Sequence, residues 1–444
     1  MSNKLIFVGD IILPSLSNLK CISAYLIVEN GVITERGPKD YFFKNQENFI
    51  KRGYTIKILE PHQFLMPGFV DCHTHAPQFP NIGLGLDRPL LEWLDKCTFP
   101  LECEYRNEEF AANVYSKVVK RLINNGTTTA CYFGTLHLEG TLELVKCAVK
   151  QNQRAFIGKV SMNTKNDAGY YNDTKTELRE VKTFVEKVLE YKNDLVNPVI
   201  TPRFAISCDN DLMKKLSVIA KENSCLMQSH ISENKKEIKY VLNNNPECKT
   251  YSEVYERCGL FDNKCIMAHG VHLSEEEIDM FAREGASIAH CPASNTRLKS
   301  GLCPVRKLIN REVKVGLGTD VSGGDNASIL DALRRAMDVS EHLNLMGGKE
   351  SALNWREALY LATLGGARAL FIDDKIGRLE VNQEFDALLI DLYSKESPID
   401  KYAYSVAHGE EEEILERVER FVYLGDDRNI VQVYVKGRKV KDIL

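Results

Sequence analysis

No stretch of this chain approaches the ~18 consecutive apolar residues that a membrane-spanning helix requires, so no membrane partner is expected. There is no Lys/Arg-rich block, and the formal net charge is −5. That balance argues against a nucleic-acid backbone or an acidic membrane surface as partner. The 13 cysteines are odd in number and contain no Cys-x-x-Cys pair. Several (Cys131, Cys208, Cys225, Cys265) sit inside apolar segments. Buried thiols of a reducing compartment have this pattern, and a disulfide framework does not. The apolar stretch Met1–Leu13 is broken by Asp10 and has no small-residue cleavage site, so it is not read as a secretion signal. A soluble, cytoplasmic protein is expected. Also missing are a GxGxxG opening the first helix and a GxxxxGK[ST] loop, which removes the usual nucleotide-phosphate cradles.

The chain is 444 residues long, 44% hydrophobic and 27% charged. That is ordinary for a globular enzyme, and longer than one core usually supports. Short β-type segments open it: Lys4–Leu13, then Ser23–Gly37 with a turn at Asn30-Gly31, then Tyr54–Glu60. They read as antiparallel strands. Similar signals return in Gly377–Leu392 and Ile430–Val440. Neither end has enough strands for a sheet of its own, so the two are expected to pack as one small β-sandwich domain, residues 1–63 with 376–444.

Between them, residues 64–375 alternate strand with helix. Apolar strand candidates are Phe64–Val70, Thr127–Gly134, Arg154–Met162, Pro198–Ser207, Cys225–Ile231, Lys264–Ala268, Ala286–Ala289 and Val313–Leu317. Helical periodicity lies between them, as in Phe110–Asn124, Glu177–Tyr191, Leu212–Glu222, Lys235–Leu242 and Glu275–Glu284. Eight strands each followed by helix predict an α/β fold, a (β/α)8 TIM-type barrel. The polar stretch Thr164–Thr176 reads as a surface loop, and the acidic run Glu410–Glu413 as a solvated helix start.

In such a barrel the carboxyl ends of the strands gather at one mouth, where the chemistry sits. Of the ten histidines, five finish strand candidates: His73, His75, His230, His269 and His290. Asp320 finishes the eighth. Each histidine alone would pass as a satisfied core side chain; together they do not. His73 and His75, two apart on a strand, point to one face. With His230 and Asp320 they make a three-nitrogen, one-oxygen set that suits a catalytic zinc, with iron the lesser choice. Such a metal lowers the pKa of bound water towards ~7. Glu233 follows His230 by three residues and is a candidate proton shuttle, its plainer reading being an acid at a helix start before Lys235. His269 could hold or polarise the nucleophile. His290 is read as supporting, and His137, His272, His342 and His408 as surface or packing residues.

The ordered motifs PGFVDCHTH (Pro67–His75), SHISEN (Ser229–Asn234), MAHG (Met267–Gly270) and LGTD (Leu317–Asp320) resemble the amidohydrolase superfamily of metal-dependent hydrolases. Closer segments resemble its guanine-deaminating branch: HAPQ (His75–Gln78), LLEWL (Leu90–Leu94) with TFP (Thr98–Pro100), NGTTTA (Asn125–Ala130), TPRF (Thr201–Phe204), SIAHCP (Ser287–Pro292) and YLGDDRN (Tyr423–Asn429). The resemblance spans essentially the whole chain. It implies one zinc per chain on His73, His75, His230 and Asp320, and catalysis by Glu233, His269 and Asp320. It also implies a purine base meeting Gln78, Arg203, Phe204, His230, Glu233 and Asp320, and a homodimer. The chemistry is sound independently: a guanidinium fork supplies planar donors, an amide offers donor and acceptor, and a ring suits a flat base. The implied reaction is hydrolytic deamination of guanine to xanthine and ammonia. Residues Gly323–Ser328 depart from the aromatic or hydroxyl-rich loop that the resemblance implies.

Rival readings start from the same residues. A relative could deaminate another amino-heterocycle, of pterin, triazine or cytosine type, with Arg203 and Gln78 as discriminators. A two-metal site bridged by a modified lysine finds none offered at the end of strand 4, where Arg203–Cys208 stand. The other zinc deaminase fold needs H-x-E followed by P-C-x-x-C; His137-Leu138-Glu139 is present, but no Pro-Cys dipeptide is. A metal-free scaffold is disfavoured because every ligand is in place.

Overall fold

A computed structural model describes residues 4–402, 405–407 and 409–444; His408 and the first three residues of the Met1–Leu13 stretch lie outside the described residues. The chain opens with β1 (Lys4–Leu13), β2 (Lys20–Glu29) and β3 (Val32–Pro38), joined through the turn at Asn30-Gly31, where both φ angles are positive. A helix not anticipated from the sequence, Lys39–Lys51, follows, and then β4 (Thr55–Ile58) and β5 (Gln63–Pro67). The barrel strands are β6 (Phe69–His75), β7 (Thr127–Phe133), β8 (Arg154–Gly158) continued by β9 (Val160–Ser161), β10 (Val196–Pro202), β11 (Leu226–Ile231), β12 (Cys265–His269), β13 (Ser287–His290) and β14 (Lys314–Leu317). The chain closes with β15 (Ala387–Asp391), the helix Glu410–Leu424, β16 (Ile430–Val435) and β17 (Arg438–Asp442).

The barrel strands pair in parallel in the order β14-β13-β12-β11-β10-β8-β7-β6, so their carboxyl ends share one rim. The amphipathic helices between them bury apolar stripes against the strands; Glu108–Asn124, for instance, buries Val114, Tyr115, Val118, Val119, Leu122 and Ile123. Side-chain and loop bonds, not a regular ladder, join β6 to β14. The Asp320 amide donates to His73 O at 2.9 Å and the His75 amide to Val321 O at 3.2 Å. Buried Asp71 accepts from the Thr319 amide (3.1 Å) and hydroxyl (2.5 Å) and from the His73 amide (3.2 Å). The barrel is thus closed at the very residues expected to carry chemistry.

Both chain ends meet in a mixed sheet of eight strands, ordered β17-β16-β15-β5-β1-β2-β3 with β4 on β1. The expectation of antiparallel strands throughout needs correcting, because β1 pairs in parallel with both β4 and β5. A second correction concerns Phe64–Val70, expected as one strand. Residues Gln63–Pro67 belong to the end sheet, paired with β1 and β15, and the barrel strand begins at Phe69. The break falls at Gly68, where a Cβ would lie 2.1 Å from the Thr128 hydroxyl, so only glycine lets the chain cross between sheets there. Both strands are buried on both faces, which makes the apolar run continuous and hides the break.

Arg154, at the amino end of β8, ties barrel to end sheet. It donates to Asp386 at 2.9 and 3.1 Å and to Glu384 at 2.6 Å. Thr164–Thr176 is pinned rather than free: Tyr170 is buried, and its hydroxyl accepts from the Leu136 amide at 2.7 Å.

Candidate active site

A cavity opens among the strand ends, lined by His75, Gln78, Arg203, Phe204, His230, Glu233, His269 and Asp320, with Leu90, Trp93, Leu94 and Leu298 forming its apolar wall. Every residue singled out as a ligand, shuttle or base contact lines this cavity except His73, whose ring packs edge-on against those of His75 and His230. Gly323–Ser328 does not line the cavity. Gly323 instead stands where a Cβ would meet Ser294 Oγ at 2.6 Å and Asp320 Oδ2 at 3.1 Å.

His73, His75 and His230 bring one ring nitrogen each to within 4.8 Å of one another. His75 Nε2 faces His230 Nε2 at 3.1 Å, and both His73 Nε2 (3.2 Å) and His75 Nε2 (3.4 Å) face Asp320 Oδ1. His230 Nδ1 lies 2.6 Å from the Arg203 carbonyl, which can only accept, so the proton is on Nδ1 and a lone pair on Nε2 points into the site. Burial, followed by neighbouring imidazoles, holds the pKa of His230 well below the usual histidine value. Burial likewise lowers His75, with His73 next in effect, and lowers His73 against the pull of Asp320. Burial would raise Asp320, but His73, His269 and His75 hold its carboxyl well below the usual carboxylate range. Neutral imidazoles around an ionised carboxylate are a donor set for a divalent cation. The buried His73 Nε2, which makes no well-formed hydrogen bond and has only the Asp320 carboxylate oxygen facing it, fits the same reading.

Beside this set stands Glu233. Its Oε1 accepts from the Ser300 hydroxyl at 2.8 Å, and its Oε2 lies 3.5 Å from His269 Nε2. Burial raises its pKa above the ordinary glutamate value, opposed by the His269 charge and assisted by Asp320. His269 is oriented by Asn295 Oδ1, 2.8 Å from Nδ1. Burial would lower its pKa, but Glu233 and Asp320 together lift it above the usual histidine value. The backbone is strained here: His269 has φ 77°, Asp320 φ 45° and Ser232 φ 48°. Each left-handed residue without glycine's freedom costs about 1–2 kcal/mol, and such strain collects at functional sites.

His290, expected in a supporting role, is wholly buried with both ring nitrogens unpartnered. Burial, with a smaller contribution from His269, pushes its pKa down to about 3. Arg203, which also lines the cavity, donates to Glu102 through Nη1 at 2.6 Å and Nη2 at 3.0 Å. Sequence reasoning missed Glu102, Asn295 and Ser300. An acid inside the apolar run Thr98–Cys103 was the one available signal for Glu102; Asn295 and Ser300 gave none.

Residues 64–440 match the sequence profile of the Amidohydrolase family. A mouse guanine deaminase is 46% identical over 416 residues, 94% of this chain and 89% of the mouse protein. A guanine deaminase of Escherichia coli is 36% identical over 94% of this chain and 92% of its own length. Among solved structures, a guanine deaminase of C. acetobutylicum with guanine bound in its active site superposes with a TM-score of 0.87 at 35% identity, covering 98% of this chain and all of that one. The chain belongs to the amidohydrolase family, in its guanine deaminase branch.

Proposed function

We propose that this chain hydrolyses the exocyclic amino group of guanine, releasing xanthine and ammonia. The observation that carries the reading is a convergence: His75, His230, Asp320, Glu233, Arg203 and Gln78 line one cavity, and His73 completes the imidazole group beside it. His73, His75, His230 and Asp320 would hold the metal, and their nitrogen-rich set with one carboxylate favours zinc over iron. When bound, a divalent cation acts as a Lewis acid and makes water a nucleophile near neutral pH.

The chain's own residues then account for proton movement. As water adds to the amino-bearing ring carbon, Glu233 takes a proton from it and delivers that proton to the adjacent ring nitrogen. The Ser300 bond fixes one Glu233 oxygen, leaving the other to face the reacting centre beside His269 and Asp320. A second proton, from the hydroxyl now on that carbon, reaches the amino group, and the carbon–nitrogen bond breaks as ammonia leaves. Arg203 and Gln78 meet the ring's polar edge, Phe204 and the leucine wall its faces, and His230 its reacting side. The expected homodimer and cytoplasmic location belong to this proposal too; the 13 unpaired thiols, most of them buried, accord with a reducing compartment.

The test is a substrate panel of guanine, a pterin, an amino-triazine and cytosine, with Arg203→Ala alongside. Guanine should be preferred, and the variant should lose roughly 10–100-fold in kcat/KM on it, as for loss of hydrogen bonds to a charged group. Guanine turnover unchanged in Arg203→Ala would remove the recognition assignment.

A further inference from the structure

Glu102 lies on the short helix Phe99–Cys103, is wholly buried, and does not line the cavity. Its carboxylate nevertheless holds both polar side chains at the base-recognising end. Arg203 reaches it through two nitrogens, at 2.6 and 3.0 Å, and Gln78 Nε2 donates to the same Oε1 at 3.1 Å. The other end of the Gln78 amide is fixed as well, since Oε1 accepts from the Ser322 amide at 3.2 Å. Under the guanidinium, the Phe99 ring centroid lies 5.1 Å from the Arg203 carbon.

We propose that Glu102 is a positioning residue that sets the pocket's preference for a neutral base. Three consequences follow from the geometry. First, the two-pronged ion pair fixes the plane of the Arg203 fork; of the five N–H donors an arginine carries, two are committed to Glu102 and three remain. Second, the Gln78 amide cannot flip, because its nitrogen is held by a carboxylate and its oxygen by an N–H. Third, the pair is neutral overall, so the recognition end presents directed donors without a net positive charge. A neutral ring carbonyl is then matched, and an anion gains no uncompensated cation to pair with. This inference rests on the guanine deaminase reading and adds the selectivity of that same site.

Kinetics of metal-replete Glu102→Gln and Glu102→Asp on guanine, with benzoate as an anionic probe, test it. Wild-type turnover of guanine decides the underlying reading separately; its absence would overturn both. Given turnover, Glu102→Gln should raise KM at least tenfold while kcat moves less than threefold, because Glu102 touches no reacting atom. Benzoate should inhibit that variant competitively at concentrations that leave the wild type untouched, since Arg203 would lack its counter-charge. Glu102→Asp keeps the charge but shortens the reach, so its KM should rise less and benzoate sensitivity should stay low. If Glu102→Gln does not fold, a raised KM with kcat retained in Glu102→Asp carries the proposal. A fall in kcat alone or an unchanged KM in either variant, or no gain in benzoate sensitivity in Glu102→Gln, overturns it.

Discussion

At the scale of single residues, burial and neighbouring charges bias the side chains of the site towards the ionisation states that the proposed reaction needs. For Glu233, the proposed proton shuttle, burial raises the pKa while the His269 charge and the Ser300 hydrogen bond oppose that rise. Replacing it by glutamine keeps the shape and removes the proton acceptor, so kcat should fall by about 10²–10⁴. His290 gives a prediction of a different kind. Its pKa falls from 6.5 to about 3 in the folded protein, so the unfolded chain binds its proton more readily in between. Stability contributed by this group is complete above pH 6.5 and is lost as pH falls towards 3. Between pH 7 and pH 5 that loss is about 2 kcal/mol. Urea unfolding at both pH values checks it: His290→Leu should narrow the difference between the two midpoints, and an equal pH dependence in both proteins would contradict the assignment.

At the scale of elements, the barrel was legible because short apolar runs alternate with segments of helical periodicity. Strand candidates such as Thr127–Gly134 and Cys225–Ile231 lie within a residue of the observed β7 and β11, since turn residues and charge bound them sharply. The histidines and Asp320 were legible for the same reason: polar residues closing apolar strands stand out. Gly68 did not, because an apolar run cannot show that it changes sheets. Nor did Glu102, whose partner Arg203 is 101 residues away in sequence. Long-range pairs leave no local pattern. The same holds for Arg154, which meets Asp386 across 232 residues. Arg154→Ala would leave Asp386 buried without its counter-charge, and should cost about 3–5 kcal/mol in chemical denaturation. A loss under 1 kcal/mol would mean that the two sheets are held together elsewhere.

At the scale of the whole molecule, the strand ends at which the barrel closes also carry the donor set, so metal binding and folding should be coupled. The His73 and Asp320 backbones are bonded to each other across the β6–β14 seam, and both side chains point at the same centre. A ligand that binds only the folded state at a thousandfold excess over its Kd adds about 4 kcal/mol. Chelator-treated protein should therefore unfold at a lower temperature, and zinc should restore the original midpoint. An identical Tm with and without chelator would separate the metal from the fold. The most direct test of the account is xanthine formation from guanine by purified protein, measured with and without a chelator and with Glu233→Gln in parallel. Turnover should be abolished by the chelator, restored by zinc and missing in the variant; metal-replete protein that makes no xanthine, or a Glu233→Gln variant as fast as the wild type, would contradict the proposed reaction.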